Sequence, residues 1–215
     1  MAPTRSASTA AIDAVAQPLI VAASLLSLAA LQSELAAVGA AGPAGIAGHS
    51  VGEIAALVGA GVLTVEAGMS LVGVRGRAMA AAAAAAEPTG MSAVIGGDED
   101  AVVARLAQLD LTPANMNGAG QIVAAGALDA LARLSEEPPA GTRVIPLQVA
   151  GAFHTRFMEP AVAVLREAAA AVTPADPNGT LWTNNDGSAV TSGARALELL
   201  SHSSRPLAAL AAELP

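Results

Sequence analysis

From Gln17 to Val38 apolar residues crowd the chain, and Leu19, Ala22, Ala23, Leu26 and Ala30 recur at helical spacing. Pro18 suits a first helical turn, where its missing N–H is no loss, so a buried helix is expected from there to about Val38. The segment GAAGPAG breaks the pattern, and Ile46-Ala47 leaves room for a short strand before the next glycine. Helical spacing returns from Val51 to Gly59, and Gly61 is a stop signal. Thr64 then offers an N-cap, with Glu66 in the first turn of a further helix. That helix should run through the alanine tract Ala80 to Ala86 and end near Pro88, because alanine is the strongest helix former.

After Pro88 the units shorten. MSAVIG reads as a strand, DEDAVVARLAQL as a helix with an acidic start, and TPANMN and QIVAAG as strands around Gly118-Ala119-Gly120. ALDALARLSE then reads as a helix and RVIPLQV as a strand. The order β-α-β-β-α-β is that of a ferredoxin-like unit, expected as an inserted subdomain over residues 89–150. A helix from Pro160 to Val172 and a strand in TLWTNN follow. The expected organisation is an α/β core begun in residues 1–88 and resumed in residues 151–215.

Composition adjusts this picture in three ways. Hydrophobic residues make up 53% of the 215 but aromatics only 1%, so alanine carries the apolar content and the core should pack small. The formal charge of −8 opposes a nucleic-acid partner, whose phosphates favour a basic face. With no cysteine, disulfides, thiolate catalysis and cysteine-ligated metals are excluded. The apolar run Leu19 to Leu31 is interrupted by Ser24 and Ser27 and falls short of the roughly 20 residues that a bilayer requires. MAPTRSAS is not followed by the apolar core and cleavage site of a leader, so a soluble, cytoplasmic protein with no membrane partner is expected.

The stretch GHSVG places Ser50 in a Gly-x-Ser-x-Gly bend. Between a strand and a helix such a bend exposes the hydroxyl and lets the next N–H, that of Val51, point at a bound oxyanion; a purely structural turn is the alternative. A serine nucleophile needs a base, and there are three histidines. His49, beside Ser50, would fix the bend or line a pocket, and His202 in SHSSRP reads as a solvated residue. His154, between Phe153 and Phe157, is either a core residue or a base in a walled pocket. Arg75 falls on the apolar face formed by Leu71, Val72 and Met79, whereas Arg77 points elsewhere. A guanidinium facing inward needs a carboxylate, either from a protein partner such as Glu53 or from a substrate.

GHSVGE, RGRAM, NMNGAGQIVAAG and VAGAFHTRFM occur in that order, and together they resemble the malonyl-CoA:acyl carrier protein transacylases from about Gln17 to Leu200. The resemblance implies that Ser50 is acylated by malonyl-CoA, that His154 is its base and that Arg75 holds the malonyl carboxylate. It implies a hydrolase-like α/β core with the ferredoxin-like insertion, the active site lying between them. Asn117 and Gln121 would then be polar lining of the cleft, and Phe153 a bulky neighbour that crowds the methyl of methylmalonyl. The implied partners are malonyl-CoA, as substrate, and acyl carrier protein; no cofactor and no metal are implied.

Two family elements have no counterpart: a Gly-Gln-Gly loop ahead of Gln17 and an Asn-Pro-Val segment beyond Leu200. The expectation is therefore a chain truncated at both ends relative to the family. The alternatives are an acyltransferase domain of a polyketide synthase, which the NMNGAGQIVAAG loop and the lack of linker sequence disfavour, and a non-catalytic remnant. A general serine hydrolase fits poorly, because Arg75 would have no purpose.

Overall fold

The computed structural model describes residues 7–118 and 120–200, with side chains from residue 14 onward. Helix α1 spans Ala7–Ala37 and carries Pro18 in its interior, not in its first turn. An alanine-rich sequence propagates helix on both sides of the proline and absorbs the one backbone hydrogen bond that it removes. The helix is not buried as its pattern suggested. From residue 14 onward Gln17 and Val21 are its buried residues, with Ala14, Pro18, Leu25 and Leu28 partly buried on the same stripe. Leu19 and Leu26 lie on the outer side, 63% and 73% exposed. A helix that is apolar all round carries no mark of its inner face, so the spacing of Leu19, Ala23 and Leu26 selected the wrong side. By length and composition Ala14–Ala37 could cross a membrane, contrary to the estimate from Leu19 to Leu31, because alanines extend the apolar window. Here the inner stripe of that stretch packs on a second helix of the domain.

A short strand β1, Gly45–Ala47, leads into helix α2, Gly52–Gly59. Helix α3, Val65–Ala85, starts at Thr64, whose hydroxyl accepts the Ala67 N–H at 3.1 Å. It passes close to α1 at Gly76, where a side chain would meet the Ala14 carbonyl at 3.0 Å. Two strands come much later, β6 (Thr180–Trp182) and β7 (Ala189–Val190). Strand β6 lies parallel to β1 with Ile46 opposite Leu181, and β7 pairs antiparallel with β6. The surrounding core joins Val21, Ile54, Leu57, Leu71, Val72, Leu181 and Leu200.

Between these halves lie β2 (Thr89–Gly96), α4 (Glu99–Gln108), β3 (Thr112–Met116), β4 (Gln121–Ala127), α5 (Leu128–Glu136) and β5 (Thr142–Pro146). They form a four-stranded sheet in the order β3-β4-β2-β5, antiparallel throughout. Alternation along each strand gives the sheet two working faces. Val94, Ile122 and Ala124 pack on Val102, Leu106, Leu131 and Leu134 of the helices, whereas Met91, Val123 and Ala125 turn to Ala152, Phe153 and Phe157. The second face positions the site.

The strand expected in RVIPLQV stops at Pro146, after which the Leu147 N–H bonds to the Met91 carbonyl and the chain leaves the sheet. A 3-10 turn, Arg156–Met158, precedes α6 (Glu159–Ala170). Strand β7 and helix α7 (Gly193–Leu200) have no counterpart in the expected elements, and the strand in TLWTNN ends at Trp182.

Candidate active site

Ser50 occupies the turn between β1 and α2 in a left-handed backbone conformation, φ 55°. Non-glycine residues adopt that region at an energetic cost, and such strain concentrates at functional turns. The turn is closed by Gly52 N–H to the His49 carbonyl at 3.0 Å and by Glu53 N–H to the Ser50 carbonyl at 3.1 Å. Its two glycines differ in kind. A side chain at Gly48 would collide with the backbone of Gly52 and Glu53, whereas one at Gly52 would meet open space. Val51 is the N-cap of α2, and among the described residues no acceptor takes its N–H.

His154 comes from the loop that follows the four-stranded sheet. It is 5% exposed and also left-handed, φ 59°. Its Nε2 lies 2.9 Å from Ser50 Oγ, across 104 residues of sequence. Arg75 supplies the third contact, donating from Nη2 to Ser50 Oγ at 3.2 Å. A hydroxyl oxygen can accept two hydrogen bonds, so the contact with Nε2 fits either neutral tautomer of the ring. With its hydrogen on Nδ1, the neutral imidazole accepts the hydroxyl proton at Nε2, the arrangement able to act as a base.

Arg75 is 4% exposed. Its Nη1 donates to Gln17 Oε1 in a short hydrogen bond, and Gln17 Nε2 reaches Met79 Sδ at 3.4 Å. Among the described residues no carboxylate lies within ion-pair distance of it. Burial works against its charge, while the more distant carboxylate of Glu53 works for it. Glu53 itself accepts from Asn184 Nδ2 at 3.1 Å and is not the paired acid that the sequence left open. Since guanidinium stays protonated in proteins, the site holds a buried cation whose hydrogen-bond partners are neutral. Gln17 was not among the residues singled out from the sequence. The signal was a polar side chain one turn before Val21, which reads as functional only once the inner stripe is known.

The other candidates sit further out. Phe153 packs with Phe157 against the sheet face and against Met79 and Ala83 of α3. His49 lies on the outer side of the turn, where partial burial holds its pKa below the ordinary imidazole value. Asn117 and Gln121 stand at the β3–β4 hairpin and bond to each other, Nδ2 to Oε1 at 3.1 Å, without a hydrogen bond to Ser50, His154 or Arg75. Gln121 shares the inward face of β4 with Val123 and Ala125, while Asn117 is exposed. His202 lies outside the described residues.

A hydroxyl in a strained strand-to-helix turn, bonded to a buried imidazole and open to a backbone N–H, is equipped for acyl-group chemistry through a serine ester. Residues 8–203 match the acyl transferase domain, and the chain belongs to that family. It is 56% identical over 187 residues, 87% of its length, to the malonyl CoA-acyl carrier protein transacylase of Mycobacterium bovis, of which it covers 61%. The crystal structure of the transacylase from Mycobacterium tuberculosis superposes with a TM-score of 0.84 at 54% identity, covering 91% of this chain and 64% of that one. A malonyl-transacylase solved in complex with a type II polyketide acyl-carrier protein gives 0.85 at 26% identity, covering 94% and 65%. The chain is thus a mixed α/β protein of this family that spans about three-fifths of the length of the curated relatives it matches.

Proposed function

We propose that this chain carries the chemistry of a malonyl transfer from malonyl-CoA to the phosphopantetheine thiol of acyl carrier protein, as in fatty acid synthesis. The observation that carries the reading is a buried guanidinium with no carboxylate partner among the described residues, 3.2 Å from a serine oxygen that also faces an imidazole. A general serine hydrolase has no use for that cation. A substrate with a carboxylate two carbons from its thioester does.

In the first half-reaction His154 Nε2 takes the Ser50 proton as Oγ attacks the thioester carbonyl. The negative charge that develops on the carbonyl oxygen is met by the Val51 N–H at the head of α2. As the carbon–sulfur bond breaks, His154 returns the proton to the leaving coenzyme A sulfur, which leaves malonyl on Ser50. In the second, His154 takes the proton of the carrier thiol, whose sulfur attacks the ester, and gives it to Ser50 Oγ as the carbon–oxygen bond breaks. Atoms and charge balance in both steps, and no cofactor or metal is invoked. Arg75, oriented by Gln17, forms a two-point hydrogen-bonded pair with the malonyl carboxylate. Phe153 narrows the space at the α-carbon, Gln121 lines the inward face of the sheet, and Asn117 and His49 lie on the rim.

The same reading takes residues 1–88 and 151–215 as a hydrolase-like core and residues 89–150 as a ferredoxin-like insertion. The observed strand order β3-β4-β2-β5 supports this. A cytoplasmic location is proposed with it, supported by the packing of α1 on α3 and not by the hydropathy of α1. The transacylase name shared by the relatives at 56% identity favours this reading over a polyketide synthase domain. To test it, the purified chain is incubated with malonyl-CoA and holo-acyl carrier protein, and the mass of the carrier is followed. The expected outcome is a malonyl gain on the carrier that Ser50→Ala abolishes; no gain with folded protein contradicts the reading.

A further inference from the structure

His154 holds a left-handed conformation that is unfavourable for a non-glycine residue, so its surroundings must impose it. The bonds that do so can be followed. Within the loop the Thr155 hydroxyl donates to the Ala152 carbonyl at 2.6 Å and accepts the Phe157 N–H at 3.3 Å, and the Met158 N–H bonds the Thr155 carbonyl at 3.0 Å. These make a rigid cap around the histidine without fixing it in space. Two contacts with β2 tie the cap to the sheet. Leu147 N–H reaches the Met91 carbonyl at 2.9 Å, and Ala152 N–H donates to Thr89 Oγ1 at 3.2 Å. On the solvent side Arg156 forms a two-point pair with Asp110. Of these anchors, only the Thr89 contact falls two residues before the histidine, and both Thr89 and Ala152 are fully buried, 0% exposed.

We propose that Thr89 is a positioning residue for His154. Its hydroxyl anchors the loop to the sheet and so sets the 2.9 Å approach of Nε2 to Ser50 Oγ. The inference rests on the serine–histidine reading above. The physical reason is that water does not reach this contact. Without Oγ1 the Ala152 N–H would be left unpaired in a dry site, and the loop would shift to recover a partner. The strained residue next in line is the one that gives, and an ångström at the base is enough to lose a large part of the rate.

The test compares wild type with Thr89→Val, which keeps the shape and deletes the hydroxyl, and with Thr89→Ser, which restores it. Single-turnover acylation of Ser50 by malonyl-CoA is measured across substrate concentrations, and unfolding curves confirm that each variant is folded. Thr89→Val is expected to lower the saturating rate at least 10-fold and leave the half-saturating concentration within 2-fold, because Arg75 is untouched. Thr89→Ser should return most of the rate. Independently of activity, the His154 ring signals in an NMR spectrum, assigned by His→Gln variants of the three histidines, should move in Thr89→Val and return in Thr89→Ser. Unchanged ring signals, an unchanged rate, or a loss that serine fails to rescue would overturn the proposal. A wild type that does not acylate counts against the malonyl-transfer reading, and the ring signals still decide the role of Thr89.

Discussion

Each side chain at the centre of this site is shaped by what surrounds it. Ser50 and His154 are both held in left-handed backbone, and the two strained residues meet at 2.9 Å. Arg75 is the costliest group, a buried cation satisfied by an amide and a hydroxyl. His49, one residue from Ser50, shows a milder form of the same desolvation. Its folded-state pKa lies below the ordinary 6.5, so the unfolded chain binds a proton more readily. The stability from keeping His49 neutral is therefore complete above about pH 6.5 and is lost as the pH falls through the lowered value. Wild type should lose more melting temperature between about pH 7.5 and about pH 5.5 than His49→Gln does. Parallel losses in the two proteins would show that the ring has no such role.

At the scale of elements, the turn before α2 makes a sharp distinction between its glycines. Gly48→Ala drives a methyl into the backbone of Gly52 and Glu53, and should leave too little native protein to assay. Gly52→Ala meets nothing and should raise stability by about 0.4–1 kcal/mol, since alanine narrows the unfolded ensemble. Chemical denaturation of the two variants checks both statements. Much of this level was legible beforehand. The Thr64 cap, the acidic start of α4, the βαββαβ order and the inward face of α3 with Arg75 all follow from local spacing and capping chemistry. What escaped depends on tertiary context. The inner side of α1 is set by α3, and with it Gln17 as a partner of Arg75. Asn117 and Gln121 satisfy each other at a hairpin, a pairing that sequence alone does not reveal.

For the molecule as a whole, the outward face of α1 stands apart from an otherwise ordinary domain. Val15, Leu19, Ile20, Leu26 and Leu31 are all exposed on one helix, apolar surface of the kind that promotes association. Leu26, the most exposed of them at 73%, touches little that a charge would disturb. Leu26→Glu should therefore reduce aggregation in light scattering while shifting the unfolding free energy by no more than about 0.5 kcal/mol, the usual range for surface changes. A large loss of stability would mean that this face is packed in solution.

On the malonyl-transfer proposal, one cation buried beside Ser50 makes this protein a selector of carboxylated acyl groups. Intact-mass measurement of the chain after exposure to malonyl-CoA or to acetyl-CoA, with Arg75→Ala and Ser50→Ala alongside, tests it most directly. A malonyl adduct is expected on wild type, with little acetyl adduct, and none on Ser50→Ala. In Arg75→Ala the malonyl preference should fall by about 100-fold or more, as expected for removing one partner of a buried charge pair. Equal labelling of wild type by both thioesters, or an adduct that survives in Ser50→Ala, would contradict it.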